Sequence, residues 1–388
     1  MKTVREALQT IAQQIEKGET TNAYGSLQAV RTAALDQGDR DIEATALRLM
    51  GVVAHEQGRP DEGMVLFERA LSCFRAIGDR RGEGTCYRQL GIVLQEQGRY
   101  DEARMYFERA LMTARELGDR RAEAAALHQL GIVLQEQGRY DEARMFLERS
   151  LTTARELGDR RAEAAALHQL GIVLQEQSRY DEAQMCFERS LMSAQELGDR
   201  RAEAAALHQL GVVLQSQDRY EEALRYYQRS LAIDEEIGNT HGRAVSLNNL
   251  GNVYVRLGRV EQGLHSFEDG LSICREIGDL SGVSSSLRNV GAALSQLGRS
   301  DDSISALQES VAICRQIGAT PSLGYALMSL SLSLLSSGRA TAARETIEEA
   351  LSLFQQLGIA PPPAAEEFLA KLRESSTESQ RPPSKPAV

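Results

Sequence analysis

The chain has 388 residues, 42% of them hydrophobic, with five cysteines, no tryptophan and a formal net charge of −11. That acidic balance argues against sequence-independent binding to nucleic acid or to an anionic membrane, and no stretch reaches the ~20 apolar residues of a membrane-spanning helix. Length alone suggests two or three domains, but the chain repeats itself. Residues 121–160, RAEAAALHQLGIVLQEQGRYDEARMFLERSLTTARELGDR, recur at 161–200 with seven substitutions, and close relatives flank both copies. Self-similarity at such a period implies stacked supersecondary units that share one continuous core.

In chain order, residues 1–40 fit a helix pair in drifted register, a divergent first unit whose outer face would meet water. From 41 to 358 the chain divides into eight tandem 40-residue units. Within 81–120, Tyr87, Leu90, Gly91 and Leu94 recur every three or four residues. After the interruption QGRY, the period resumes at Ala103, Phe107, Ala110, Leu111, Ala114 and Leu117. This predicts two amphipathic helices, A and B, joined by a short turn. Gly98 and Gly118 would close helices A and B in the left-handed conformation, Asp101 and Glu102 place acid in the first turn of B, and Asp119 is a candidate N-cap for the next A. The A–B turns are expected at Gly58, Gly98, Gly138, Ser178, Asp218, Gly258, Gly298 and Gly338, with Ser178 and Asp218 strained.

A glycine follows the helix A leucine or its equivalent at positions 51, 91, 131, 171, 211, 251 and 291, and becomes Ser331 in the worn last unit. A mid-helix glycine costs ~1 kcal/mol, so each copy should relieve a worse clash; Gly91 and Ala103 are small so that A and B can approach closely. Beyond Gly358, residues 359–375 read as a Pro-rich connection and a capping helix around 364–374. Residues 376–388, with a weak PSKP match, read as a disordered tail. Cys73, Cys86, Cys186, Cys274 and Cys314 show no metal-ligand spacing and are expected as reduced core residues of a cytoplasmic protein. The opening MKTVREALQT lacks the apolar core of a secretory leader.

The Leu-Gly of helix A, followed by Ala, a large apolar residue and Ala or Ser in helix B, resembles the tetratricopeptide repeat (TPR). The forty-residue form with its GD-R connection is similar to the LGN/Pins and kinesin light chain proteins and to the TPR modules of some bacterial regulators. The resemblance covers 41–358 well and 1–40 loosely. It implies an all-α TPR solenoid, a superhelix of about nine antiparallel helical hairpins with a C-terminal capping helix. It also implies that helix A residues on either side of Leu-Gly line a concave, peptide-binding face. Carried onto this sequence, the position two before the glycine holds Gln89, Gln129, Gln169, Gln209, Asn249 and Asn289. One residue earlier stand Arg48, Arg88, His128, His168, His208, Asn248 and Arg288. After it come Ile92, Ile132, Ile172, Val212 and Asn252, then Gln95, Gln135, Gln175 and Gln215 one turn on. Side-chain amides both donate and accept, so a ladder of them can pair with the main chain of an extended peptide. In the LGN-like and kinesin light chain proteins the matching asparagines do so.

His128, His168 and His208 stand on successive units, and packed helices lie roughly 8–10 Å apart, too far to share a zinc ion bound at about 2.0–2.1 Å. No phosphate loop, HExxH, GxSxG or dinucleotide fingerprint occurs. Carboxylates repeated once per unit, such as Asp101, Glu102 and Glu123, are expected on solvated turns. The expected function is therefore non-enzymatic, without metal or cofactor: a cytoplasmic scaffold, adaptor or regulatory sensor that binds a segment of another protein, with no nucleic-acid or membrane partner. The alternatives are self-assembly into homo-oligomers or filaments, and service as the sensory subunit of a separate effector enzyme.

Overall fold

The computed structural model describes residues 2–16, 18 and 20–362, which are almost wholly helical, with no strand among them. Ten helices make up one compact unit ending at Gly198: α1 (Lys2–Glu16), α2 (Ala23–Gln37), α3 (Arg40–Glu56), α4 (Pro60–Ile77), α5 (Arg80–Glu96), α6 (Tyr100–Glu116), α7 (Arg120–Glu136), α8 (Tyr140–Glu156), α9 (Arg160–Glu176) and α10 (Tyr180–Leu197). Eight more form a second unit: α11 (Arg200–Ser216), α12 (Tyr220–Glu236), α13 (Thr240–Arg256), α14 (Val260–Glu276), α15 (Leu280–Gln296), α16 (Ser300–Ile317), α17 (Thr320–Ser336) and α18 (Ala340–Gln356). Each odd-numbered helix packs on the even-numbered helix after it, and within each unit every hairpin packs on the next. The capping helix and the tail expected toward the C-terminus lie outside the described residues from 363 onward.

The helix ends follow from local chemistry. Asp119 Oδ1 accepts from the Ala122 amide at 3.0 Å, and Asp39, Asp79, Asp159, Asp199, Asn239 and Asp279 cap α3, α5, α9, α11, α13 and α15 in the same way. Such caps contribute about 1 kcal/mol each. Helix α17 has Ala319 at this point, no side-chain cap, and a proline in its first turn. At the A–B turns Gly98 has φ 72°, and its amide and that of Arg99 donate back to Gln95 and Leu94 at 2.9 Å. Ser178 and Asp218 hold the same turn at φ 58° and 57°. The left-handed region costs a residue with a Cβ roughly 1–2 kcal/mol, partly offset by the backbone entropy that glycine loses. Ser178→Gly is therefore expected to stabilise the protein by about 0.5–1 kcal/mol, read as a rise in the urea midpoint of unfolding.

The recurrent helix A glycines are notches for one helix B side chain. A Cβ on Gly91 would lie 2.6 Å from the Phe107 ring, and one on Gly131 would lie 2.5 Å from Leu147 Cγ. Phe67, Phe187, Tyr227, Phe267 and Leu307 occupy the equivalent notches. What the glycine admits is thus a large side chain as well as a neighbouring backbone.

Two sets of polar latches join successive hairpins. At the A–B turns, Gln97, Gln137 and Gln177 donate to Asp61, Asp101 and Asp141 at 2.9–3.1 Å. At the opposite ends, Glu83, Glu123 and Glu163 are buried rather than solvated, contrary to the expectation for Glu123. Glu123 accepts from Arg115 of the preceding hairpin at 3.0 Å and from Arg120 at 2.6 Å, while Arg120 also pairs with Glu156. Burial alone would raise the Glu123 pKa, but the two guanidinium groups outweigh it and hold the carboxyl below its usual range. The cysteines are all free; Cys86, Cys274 and Cys314 are buried, whereas Cys73 and Cys186 are only half-buried. Burial pushes the Cys86 thiol up to about 12, which leaves it unreactive.

Candidate peptide-binding face

Every residue that the pattern assigns to the groove lies on an odd-numbered helix between α3 and α15, and every one is half-buried. The 3.6-residue period explains this: each stands beside the buried Leu-Gly stripe without belonging to it. Ile92, Ile132, Ile172 and Val212 form the aliphatic part. Many of the polar members are engaged within the fold. Gln169 Nε2 donates to Gln135 Oε1 across adjacent hairpins. Tyr227 donates its hydroxyl to Gln215 at 3.1 Å. Asn248 donates to the Ala244 carbonyl at 3.0 Å and to Ser286 at 2.9 Å.

The histidines differ although they occupy one register. His168 meets Phe187 edge-on, with ring centroids 5.4 Å apart. His208 lies 5.5 Å from the Tyr227 ring, and its Nε2 accepts from Asn249 Nδ2 at 2.7 Å. Burial lowers the His208 pKa to about 4, so the ring is neutral. His128 is also lowered by burial, against a backbone hydrogen bond with Ala165, and its Nε2 is buried without a partner among the described residues. No group of three or more His, Cys, Asp or Glu among the described residues could hold a metal.

Other members are uncommitted. Arg48 on α3 and Arg88 on α5 have no hydrogen bond or ion pair to any described residue, nor do the side chains of Gln89, Gln129 and Gln209. Burial lowers the pKa of both arginines, and the nearby Arg88 charge also lowers that of Arg48. Arg88 lines two adjoining recesses. One, of about 180 Å³, also involves Arg81 and Thr85; the other, of about 250 Å³, involves Arg121, His128 and Gln129. Arg288 instead lies over the Tyr325 ring at 6.0 Å. The sequence pattern marks these positions but does not separate the engaged from the free, because the partners lie roughly one repeat away.

The tetratricopeptide repeat family signature matches residues 41–116, 122–196, 162–236, 202–276, 242–316 and 282–356, and the chain belongs to that family. Among solved structures it is similar to the apo form of the quorum sensor NprR from B. thuringiensis, at 15% identity and TM-score 0.66, covering 91% of this chain and 99% of that one. A Rap protein complexed with Competence and Sporulation Factor matches at 15% identity and TM-score 0.64, over 92% of this chain and 99% of that one. A signal-transduction ATPase with numerous domains from Pyrococcus horikoshii, which carries a tetratricopeptide repeat sensor, matches at 14% and TM-score 0.65. It aligns over 92% of this chain, which spans 55% of that protein. At these identities the likeness is one of fold. No curated protein sequence matches the chain. No helix among the described residues is long and apolar enough to cross a membrane.

Proposed function

We propose that the chain is a non-enzymatic, cytoplasmic regulatory or adaptor module that captures a peptide segment of another protein along the faces of its A helices. The observation that carries this reading is the set of half-buried polar groups with no partner inside the fold: Arg48, Arg88, Gln89, Gln129 and the Nε2 of His128. The His128 Nε2 is withdrawn from water without a partner, which is costly, and the other four groups keep their hydrogen-bonding capacity free for a ligand; a docked main chain would use both. The relatives of like fold support it, since one is a quorum sensor and another was solved with Competence and Sporulation Factor.

The test begins with affinity capture from the native host, followed by measurement of the recovered partner's affinity. Q89A/Q129A should weaken it by about 1–3 kcal/mol, two hydrogen bonds at ~0.5–1.5 kcal/mol each, or roughly five- to 150-fold, with the circular dichroism spectrum unchanged. Undiminished affinity would remove the groove reading. Self-association is the second reading, favoured by Val65, Met105, Met145 and Met185, which share one register of α4, α6, α8 and α10 and are 53–60% exposed. Sedimentation velocity over a hundredfold concentration range, with M145E as the disrupting variant, decides it.

A further inference from the structure

We propose that the Arg48–Arg88–His128 run is an anion-selecting subsite, so that the segment bound there carries acidic side chains. This rests on the groove reading above and deepens it by naming the chemistry of the partner. The three residues occupy one register of α3, α5 and α7. Many arginines of the first unit find carboxylates, among them Arg80 with Glu83 and Glu116, Arg99 with Glu102, Arg115 with Glu123 and Arg139 with Glu142; of those that do not, Arg31, Arg48 and Arg88 are half-buried and the rest are exposed. Burial lowers the guanidinium pKa of both Arg48 and Arg88, and neither has a carboxylate partner among the described residues.

The acids that line the two recesses with Arg88 also serve as helix caps. Asp119 caps α7 through the Ala122 amide and faces Arg81 at 3.6 Å, and Asp159 caps α9 through the Ala162 amide at 3.0 Å. The larger recess beside Arg88 is lined by Arg88, Arg121, His128 with its unpartnered Nε2, and Gln129 around the small Ala124, Ala125 and Ala165, with the capping Asp159 as its one carboxylate. A half-buried cation without a counter-charge favours an incoming anion, and the planar fork of arginine matches a carboxylate with two parallel hydrogen bonds. That carboxylate could be a side chain or a chain terminus. The repetition of Arg48 and Arg88 one hairpin apart favours side chains, since a terminus offers one anion and these two cations each need a partner.

The experiment uses the full chain and four fluorescein-labelled peptides of equal length: alternating Glu/Ala with an amidated C-terminus, the Gln/Ala and Lys/Ala counterparts, and Gln/Ala with a free C-terminal carboxylate. Anisotropy at low and high salt should show the Glu/Ala peptide binding at least ~tenfold more tightly than the amidated Gln/Ala peptide, a margin that shrinks with salt. R88Q, and independently R48Q, should each remove a large part of that preference, and the two together should abolish it. R88K should retain part of it. The urea midpoint of R88Q should stay level or rise, because a half-buried charge without a counter-charge is removed; a role in holding the fold together would lower it.

Equal binding of the Glu/Ala and amidated Gln/Ala peptides, or a preference that survives both R48Q and R88Q, overturns the subsite. Selective binding of the free-terminus peptide alone overturns the side-chain assignment. If the Gln/Ala peptide binds and Q89A/Q129A abolishes that binding without any acid preference, the groove stands and the subsite falls. If R88Q acts while Q89A/Q129A does not, the subsite stands and the amide ladder falls.

Discussion

Replacing Gly131 by leucine is expected to cost about 3 kcal/mol and to loosen α7 from α8 without unfolding distant repeats. The new Cβ alone would stand 2.5 Å from Leu147 Cγ and 3.3 Å from the Ala143 carbonyl oxygen, and three further carbons would have to enter the same space. Leu147 is wholly buried, so it has no solvent into which it can swing. Overpacking of this kind costs typically 1–3 kcal/mol, more where neighbours cannot shift. Each repeat touches mainly its neighbours, so the damage should stay local. Amide hydrogen exchange should show protection falling across 120–156 and into the flanking hairpins, with 40–76 unchanged. The paired variant Gly131→Ala with Leu147→Ala, which widens the notch as it fills it, should recover part of the loss. Undiminished protection over 120–156 in Gly131→Leu would remove the notch explanation.

The parts of the structure legible in the sequence are those that a backbone demands within a few residues. Left-handed turns announce themselves through Gly98 or Gly138, N-caps through Asp119, and the notch through an otherwise costly mid-helix glycine. Ser178 and Asp218 are legible as departures for the same reason, and they adopt the positive φ that their place requires. Side-chain pairings were not legible, because they join residues on different hairpins. Glu123 is solvated by position but buried in fact, since Arg115 lies eight residues before it on the preceding helix and folds back over it. His128 and His168 sit within an identical stretch, 121–137 and 161–177, yet Leu147 lies in one hairpin and Phe187 in the other. Gln129 and Gln169 likewise match in sequence, but Gln169 is engaged by Gln135, while Gln129 has no side-chain partner among the described residues. The periodicity fixes the register of the face; its working residues are selected by neighbours some 34–41 residues away.

His208 makes a second large expectation, which concerns acid stability. Its ring is neutral in the folded chain, with Nε2 accepting from Asn249 and burial lowering the pKa from 6.5 to about 4. The unfolded chain binds that proton at an ordinary histidine pKa near 6.5. Between about pH 6.5 and 4 the unfolded state therefore holds more protons than the folded state, and stability falls as the pH falls through that window. A separation of this size corresponds to about 3 kcal/mol at full protonation of the unfolded chain, reduced somewhat because the ring keeps some solvent contact. His128, lowered in the same direction by its burial, adds to the loss. The carboxylates held low by arginine, Glu123 among them, act only below the usual carboxylate range: their contribution is present above it and disappears as they protonate. Asp234, whose carboxyl burial holds above its usual value, acts in the opposite sense as the pH falls, so the comparison with H208Q isolates the histidine part of the interval from pH 6.5 to 5. Urea unfolding followed by circular dichroism, analysed as a chain of coupled repeats, should show the midpoint declining across that interval in the wild type. In H208Q, which keeps an acceptor for Asn249 but cannot titrate, the decline should be clearly shallower, and shallower still in H128Q/H208Q. A wild-type midpoint that is flat from pH 6.5 to 5, or a decline that H208Q leaves untouched, would mean that the His208 ring is not held neutral against Asn249 and that this part of the face is open to water.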